Sequence, residues 1–233
     1  MPIAVVANSA PTFTAWRSVE SQTQGTTLRL VGNNLAKQDI LEQLLESAKP
    51  PVPPGVESDH KLHYLLFTPF RYAACIRATR FGAVGTAGIF YAADQKITAL
   101  AEIAYWKTQF TSVSEGLKRK NDGQQRTLFQ VSLAGPAVDL RLPPFDATPE
   151  DWNHPSNYSQ TWEIGRKVRE ANTIDMVRYA SVRDPGHRGC VAVFHPRAFM
   201  CSSPLSQESW TLYTQENRAI LQRLGEKPIE FVF

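Results

Sequence analysis

Apolar positions along the chain follow two rhythms. Over residues 35–48, Leu35, Ile40, Leu41, Leu44, Leu45 and Ala48 recur at helical spacing. Asn33 or Asn34 is placed to cap that helix, and Lys49-Pro50-Pro51 to stop it. Residues 97–110, with Leu100, Ile103, Ala104 and Trp106, predict a second helix, and residues 158–171, around Trp162, Ile164 and Val168, a third. A short helix is expected over 216–224. The alternation of LFQVSL at 128–133 predicts a strand, and 89–91, 177–181, 190–194, 210–213 and 229–233 read the same way. YLLFT at 64–68 reads as a buried strand before Pro69, and 28–31 as a short strand or extended entry. Residues 1–26 are too weakly patterned to assign. Strands and helices do not alternate regularly, so the expected class is α+β rather than a doubly wound sheet.

Punctuation divides the chain. PPVPPG at 50–55 is a stiff, polyproline-like connector, and it sets the expected boundary between an N-terminal arm, residues 1–55, and a main domain, residues 56–233. Gly82, Gly85 and Gly88 mark a loop, as does the proline- and asparagine-rich run LPPFDATPEDWNHPSN.

Composition narrows the function. At 42% hydrophobic and 20% charged residues this is an ordinary globular protein. The net charge is only +3 and the basic residues are scattered, which argues against direct nucleic-acid binding. Cys75, Cys190 and Cys201 are odd in number and far apart, so neither a disulfide scaffold nor a thiolate zinc site is expected. No apolar run approaches the roughly 20 residues of a membrane helix, and no basic leader precedes the N-terminal apolar run. The expected location is the cytoplasm. There is no phosphate-loop GKS or GKT, no HExxH and no GxSxG; GAVGTAG precedes a strand instead of opening a helix. No metal site is expected.

The chemistry concentrates in residues 69–106. Arg71 follows Phe70 and precedes Tyr72, and Arg80 precedes Phe81 and Gly82. An arginine beside a glycine loop suits a pyrophosphate, since its guanidinium makes paired bonds to phosphate oxygens; both equally suit surface ion pairs. Tyr91 fits either a core position or a ring that stacks on a ligand. Glu102, among Ala99, Leu100, Ala101, Ile103 and Ala104, is an acid in apolar company, which costs free energy unless it is partnered or used. Downstream, Arg183, His187 and Arg188 surround Asp184-Pro185-Gly186, either extending an anionic site or forming a solvated turn.

PFRY, RFG, GIFYAA, TALAE and RYASVRDPGHRGCVAVFHPRA, in that order over about residues 60–200, together resemble the RES-domain family. The resemblance implies an ADP-ribosyltransferase-like split β-sheet core with surrounding helices. It implies a toxin of a type II toxin–antitoxin module, neutralised by a cognate Xre-type antitoxin, that takes NAD⁺ as substrate. Its reaction would be hydrolysis, phosphorolysis or ADP-ribosyl transfer to a protein. The arginine, glutamate and serine of the family's name map to Arg71, Glu102 and Ser181 as catalytic residues. Arg71, Arg80 and Ser181 would bind phosphate or ribose, Tyr72 and Tyr91 would stack on nicotinamide, and Phe81 would flank Arg80. A non-enzymatic nucleotide-binding module is the alternative. The N-terminal arm is left to homo-oligomer or antitoxin contact.

Overall fold

The computed structural model describes residues 8–21, 24–50, 62–72, 78–114 and 123–233. Its elements are β1 (Asn8–Glu20), α1 (Gln24–Leu30), α2 (Leu35–Ser47), α3 (Tyr64–Arg71), β2 (Phe90–Ala93), α4 (Lys96–Ser112), β3 (Gln124–Asp139), α5 (Pro149–Asn153), α6 (Ser159–Ala171), β4 (Met176–Ala180), β5 (Gly189–Val193), β6 (Ser206–Thr214), β7 (Arg218–Gln222) and β8 (Ile229–Val232). Mixed strands and helices without regular alternation agree with the α+β expectation.

The long strand β3 sets the frame. One of its edges pairs antiparallel with β1 along most of that strand's length. Its other edge forks: Gln124–Gln130 pairs with β6, and Ala137–Asp139 pairs parallel with β4. From β4 the pairing runs through β5 and β2 back to β1, where Trp16 faces Ala93. Five strands therefore close on themselves, while β6, β7 and β8 extend the fork as an antiparallel meander. Residues 8–20, unassigned from the sequence, are thus a strand of this sheet.

Alternating side chains along these strands fill two cores. One face of all five ring strands contributes Ala15, Phe90, Val191, Met176, Phe129 and Val131, with Leu65, Leu66 and Phe70 of α3 packed onto them. Burying a phenylalanine stabilises by roughly 1.5–3 kcal/mol, and Phe90 and Phe129 are both fully buried. The other face, with Ala93, Leu128, Val177, Cys190 and Leu212, packs against Leu100, Ala101 and Ala104 of α4 and Ile164 and Val168 of α6. So α3 and α4 lie on opposite faces of the strands.

Three expectations are corrected. Residues 64–68 are helical, within α3, because Leu65, Leu66 and Phe70 share one buried stripe while Tyr64 faces out. A short apolar run does not distinguish strand from buried helix. Residues 28–31 overlap α1, which is tied to α2 by the Thr27 hydroxyl donating to Glu42 at 3.0 Å. Residues 216–224 hold β7, whose Ala219 and Leu221 alternate into the core. The expected α2 and its Asn34 cap are present, with the Asn34 side chain accepting from the Lys37 amide at 3.0 Å. Within the proline-rich run, Pro149–Asn153 forms α5. The connector 51–55 and Cys75 lie outside the described residues.

One glycine locks a helix to the site's backbone. A Cβ on Gly165 of α6 would sit 2.0 Å from the Phe81 carbonyl oxygen. Gly165→Ala is expected to force α6 off the 79–82 turn and cost about 1–3 kcal/mol of stability, read as a lower denaturation midpoint. An unchanged midpoint would refute that contact.

Candidate active site

β4 and α4 bring two distant residues together. Ser181 follows β4 directly, enters the 181–188 turn, and is fully buried. Its hydroxyl donates to Glu102 Oε1 at 2.6 Å, and its oxygen accepts the amides of Arg183 at 3.2 Å and Asp184 at 3.0 Å. The oxygen's donor and both acceptor positions are thereby used. Ser181 is a fixed positioning group, with no lone pair left for attack on a substrate.

Glu102 lies in the third turn's approach to the middle of α4, partly buried against the first residues of β5. Burial pushes its carboxyl above the ordinary carboxylate range, and the charge of Asp184 adds to this; the Ser181 hydrogen bond and the Arg80 and Arg183 guanidinia pull the other way. The Cys190 thiol lies 4.0 Å from Oε1 and is driven well up by burial and by the Glu102 charge. Tyr179 is raised likewise, by burial first. Both neighbours are therefore neutral where Glu102 titrates.

Two arginines face this carboxyl from different elements. Arg80, buried in the 79–82 turn, donates from Nη1 to the carbonyls of Trp152 at 2.9 Å and His154 at 3.3 Å. Its guanidinium lies 4.8 Å from the Tyr158 ring centroid and 5.8 Å from that of Tyr179. Arg183 stacks on Tyr105 of α4 at 3.6 Å, donates to the Pro155 carbonyl, and reaches the Tyr158 hydroxyl at 3.4 Å. Beside Arg183 a cleft of about 280 Å³ opens, lined by Tyr105, Val182, Asp184, His187 and Phe233 among others. That is close to the lower end of the ~300–1,000 Å³ typical of ligand pockets.

The structure assembles part of the expected set. Glu102, Ser181 and Arg80 come together. Tyr91 is near, on β2, but its hydroxyl donates to Thr79 Oγ1 at 2.8 Å and accepts the Phe81 amide at 3.1 Å, and burial pushes it up to about 12. Phe81 is 1% exposed and packs edge-on to Tyr179 at 5.0 Å, so its ring belongs to the core and is closed to a ligand. Arg71 is not brought to Glu102. It ends α3, on the opposite face of the strands from α4, and donates to the Pro50 carbonyl at 2.5 Å and Glu46 at 3.0 Å. Tyr72, 39% exposed, caps the same helix end. The resemblance and the sequence neighbours put both at the site, but residues 64–71 are helical and carry Arg71 to Glu46 of α2 instead.

Reasoning from sequence left Arg183 between an anionic site and a solvated turn, and missed Tyr158 and Tyr179. The charge-dense run after Ser181 was the available signal for Arg183; the tyrosines carried none beyond their type. Among the described residues no group of three or more His, Cys, Asp or Glu side chains is arranged to hold a metal ion. Nor is any helix among them long and apolar enough to cross a membrane.

Comparison with known proteins agrees with the order of motifs. The RES domain model matches residues 54–215, more than half of the chain, and the chain belongs to the RES domain family. No curated protein sequence matches it. Among solved structures it is similar to a chain of the Mycobacterium tuberculosis MbcT–MbcA toxin–antitoxin complex, at 9% identity and a TM-score of 0.47. That similarity covers 97% of this chain and 87% of the other.

The raised Glu102 carboxyl makes a signed prediction. A group whose folded value lies above its unfolded one destabilises the fold as pH rises through that window. Glu102→Gln is therefore expected to raise stability at pH 7 and leave it unchanged in acid, below the ordinary carboxylate range. Denaturant midpoints across pH test this; a gain that persists undiminished in acid would exclude ionisation as its source.

Proposed function

We propose that this chain is the toxin of a toxin–antitoxin module and acts by cleaving the nicotinamide–ribose bond of NAD⁺. A cognate antitoxin carrying an Xre-type domain would neutralise it. The observation that carries the reading is Glu102: a carboxyl in low-dielectric surroundings, oriented by a buried serine, with Arg80 and Arg183 facing it. Family membership and the forked sheet support the wider ADP-ribosyltransferase-like reading of the fold.

Cleavage sends the bonding pair of the C1′–N bond to the nicotinamide nitrogen, neutralising that ring and leaving cationic character on the ribose. A carboxylate aimed at that charge stabilises it more in a dry site than in water. Glu102 fills that role, and when water is the acceptor it also takes the proton that water releases. Ser181 holds Oε1 in one direction, so the carboxylate does not reorganise during the step. Arg183 and Arg80 supply positive charge where the pyrophosphate carries negative charge. Tyr105 and Tyr158 line the same region with flat apolar faces. Water, phosphate and a protein side chain all remain chemically competent acceptors.

The test is incubation of purified protein with NAD⁺, with and without inorganic phosphate and cell lysate. Free nicotinamide is the shared product of all three acceptors; ADP-ribose, its 1-phosphate or a modified protein identifies which is used. Binding without release would favour the non-enzymatic module. Glu102→Gln should lower turnover by at least about a hundredfold, and full activity in a folded variant would remove Glu102 from the chemistry.

Arg80→Lys should lower kcat/KM by about tenfold or more, because an ammonium cannot serve two carbonyls and a ring face together. A kcat/KM equal to that of the unaltered chain would show that Arg80 is only a structural brace.

A further inference from the structure

We propose that Asp184 is a positioning residue: with Thr98 it staples the Ser181 turn to α4, so that Ser181 and Glu102 are set as one unit. This rests on the reading of Glu102 and Ser181 as the reaction centre and names a further residue of that same site.

Asp184 is 1% exposed, and every part of its carboxylate is engaged. Oδ2 accepts the Thr98 hydroxyl at 2.8 Å, and Oδ1 accepts the Gly186 amide at 3.0 Å. Arg188 donates to both oxygens, at 2.8 and 2.9 Å. The backbone of Asp184 works in the same direction, since its amide donates to Ser181 Oγ at 3.0 Å and its carbonyl accepts the His187 amide at 2.8 Å. His187, at φ 47°, then sets Nδ1 2.9 Å from the Ser181 carbonyl oxygen. Burial alone would raise this carboxyl, but the Gly186 amide, the Thr98 hydroxyl and Arg188 together hold it below its usual range.

Thr98 is fully buried and stands four residues before Glu102 on α4. Residues four apart on a helix share one face. The staple therefore grips α4 one turn from Glu102, on the side where Ser181 meets it. A turn of charged residues could close β4 onto β5 without any bond to α4. The buried Thr98–Asp184 bond has no role in that closure, and what it does fix is the distance between turn and helix.

Its second effect is electrostatic. The groups facing Glu102 are Arg80 from the turn before β2, Arg183 and Asp184 from the Ser181 turn, Tyr179 from β4 and Cys190 from β5. Asp184 is the charged acid among them, and it biases Glu102 toward the protonated form.

The experiment measures nicotinamide release from NAD⁺ across pH, together with backbone amide exchange at Arg183 and Asp184. Thr98→Val should lower kcat by about tenfold to a hundredfold with KM within about twofold, because misplacement harms the step and not binding. Thr98→Ser, which keeps the hydroxyl, should restore it. Asp184→Asn should shift the acid limb of the kcat profile to lower pH, since it removes a negative charge that faces Glu102. An unchanged kcat in Thr98→Val, a loss shared by Thr98→Ser, or an unmoved acid limb would each overturn the proposal. Should the unaltered chain release no nicotinamide, the functional reading fails and the staple is judged by exchange alone. Faster exchange of both amides in Thr98→Val than in Thr98→Ser supports it, and equal rates overturn it.

Discussion

Everything at the site depends on a carboxyl that cannot be solvated freely and is not neutralised by a single partner. An isolated buried carboxylate would simply take up a proton. Glu102 is pushed that way but not unopposed: burial, the largest effect, and Asp184 favour the neutral form, while Ser181, Arg80 and Arg183 favour the charged one. A carboxyl placed so is costly to the fold and useful to chemistry, which is the usual sign that a residue is retained for function.

The sheet makes that balance possible. Closure of β1, β2, β5, β4 and β3 leaves each ring strand with a filled face, so the strands cannot shift without emptying the Phe90–Phe129 core. β4 delivers Ser181, β5 delivers Cys190, and the turn before β2 delivers Arg80, all against one helix. Asp94, between β2 and α4, is gripped by Arg178 at 3.0 Å and Arg141 at 3.4 Å, which fixes where α4 begins. An ion pair this exposed contributes little to stability, but it costs little to hold a corner in place.

The sequence disclosed the helices with long apolar periods, α2, α4 and α6, because 3.6-residue spacing over a dozen or more residues has few other readings. It disclosed most strands by alternation. It misled at 64–68 and 218–222, where four or five residues carry too little periodicity to oppose tertiary packing. β1 was invisible because Arg17 and Ser18 find partners more than seventy positions away and Thr14 is exposed to solvent. For the site, Glu102 was legible as an acid among apolar residues, and Ser181 through the motif that contains it. Arg71 and Phe81 misled because adjacency to a good candidate does not fix the direction of a side chain. Arg183 was left open between an anionic site and turn chemistry, because sequence does not show that the turn aims it.

The two arginines now divide differently from the way their sequence context suggested. Arg80 is buried and already donates to two carbonyls, with a ring against its face, so its use to a dinucleotide is mainly its charge and the shape it imposes. Moving it would unseat the 149–158 segment and its contact with α6. Arg183 is half-buried, holds its place by stacking and by hydrogen bonds at the cleft's rim, and leaves Nε and Nη1 without protein acceptors among the described contacts. On the proposed reading, a guanidinium in that state can exchange a carbonyl for a phosphate oxygen at small cost. The grip on phosphate, on that reading, falls to Arg183, and Arg80 serves as the fixed charge behind Glu102.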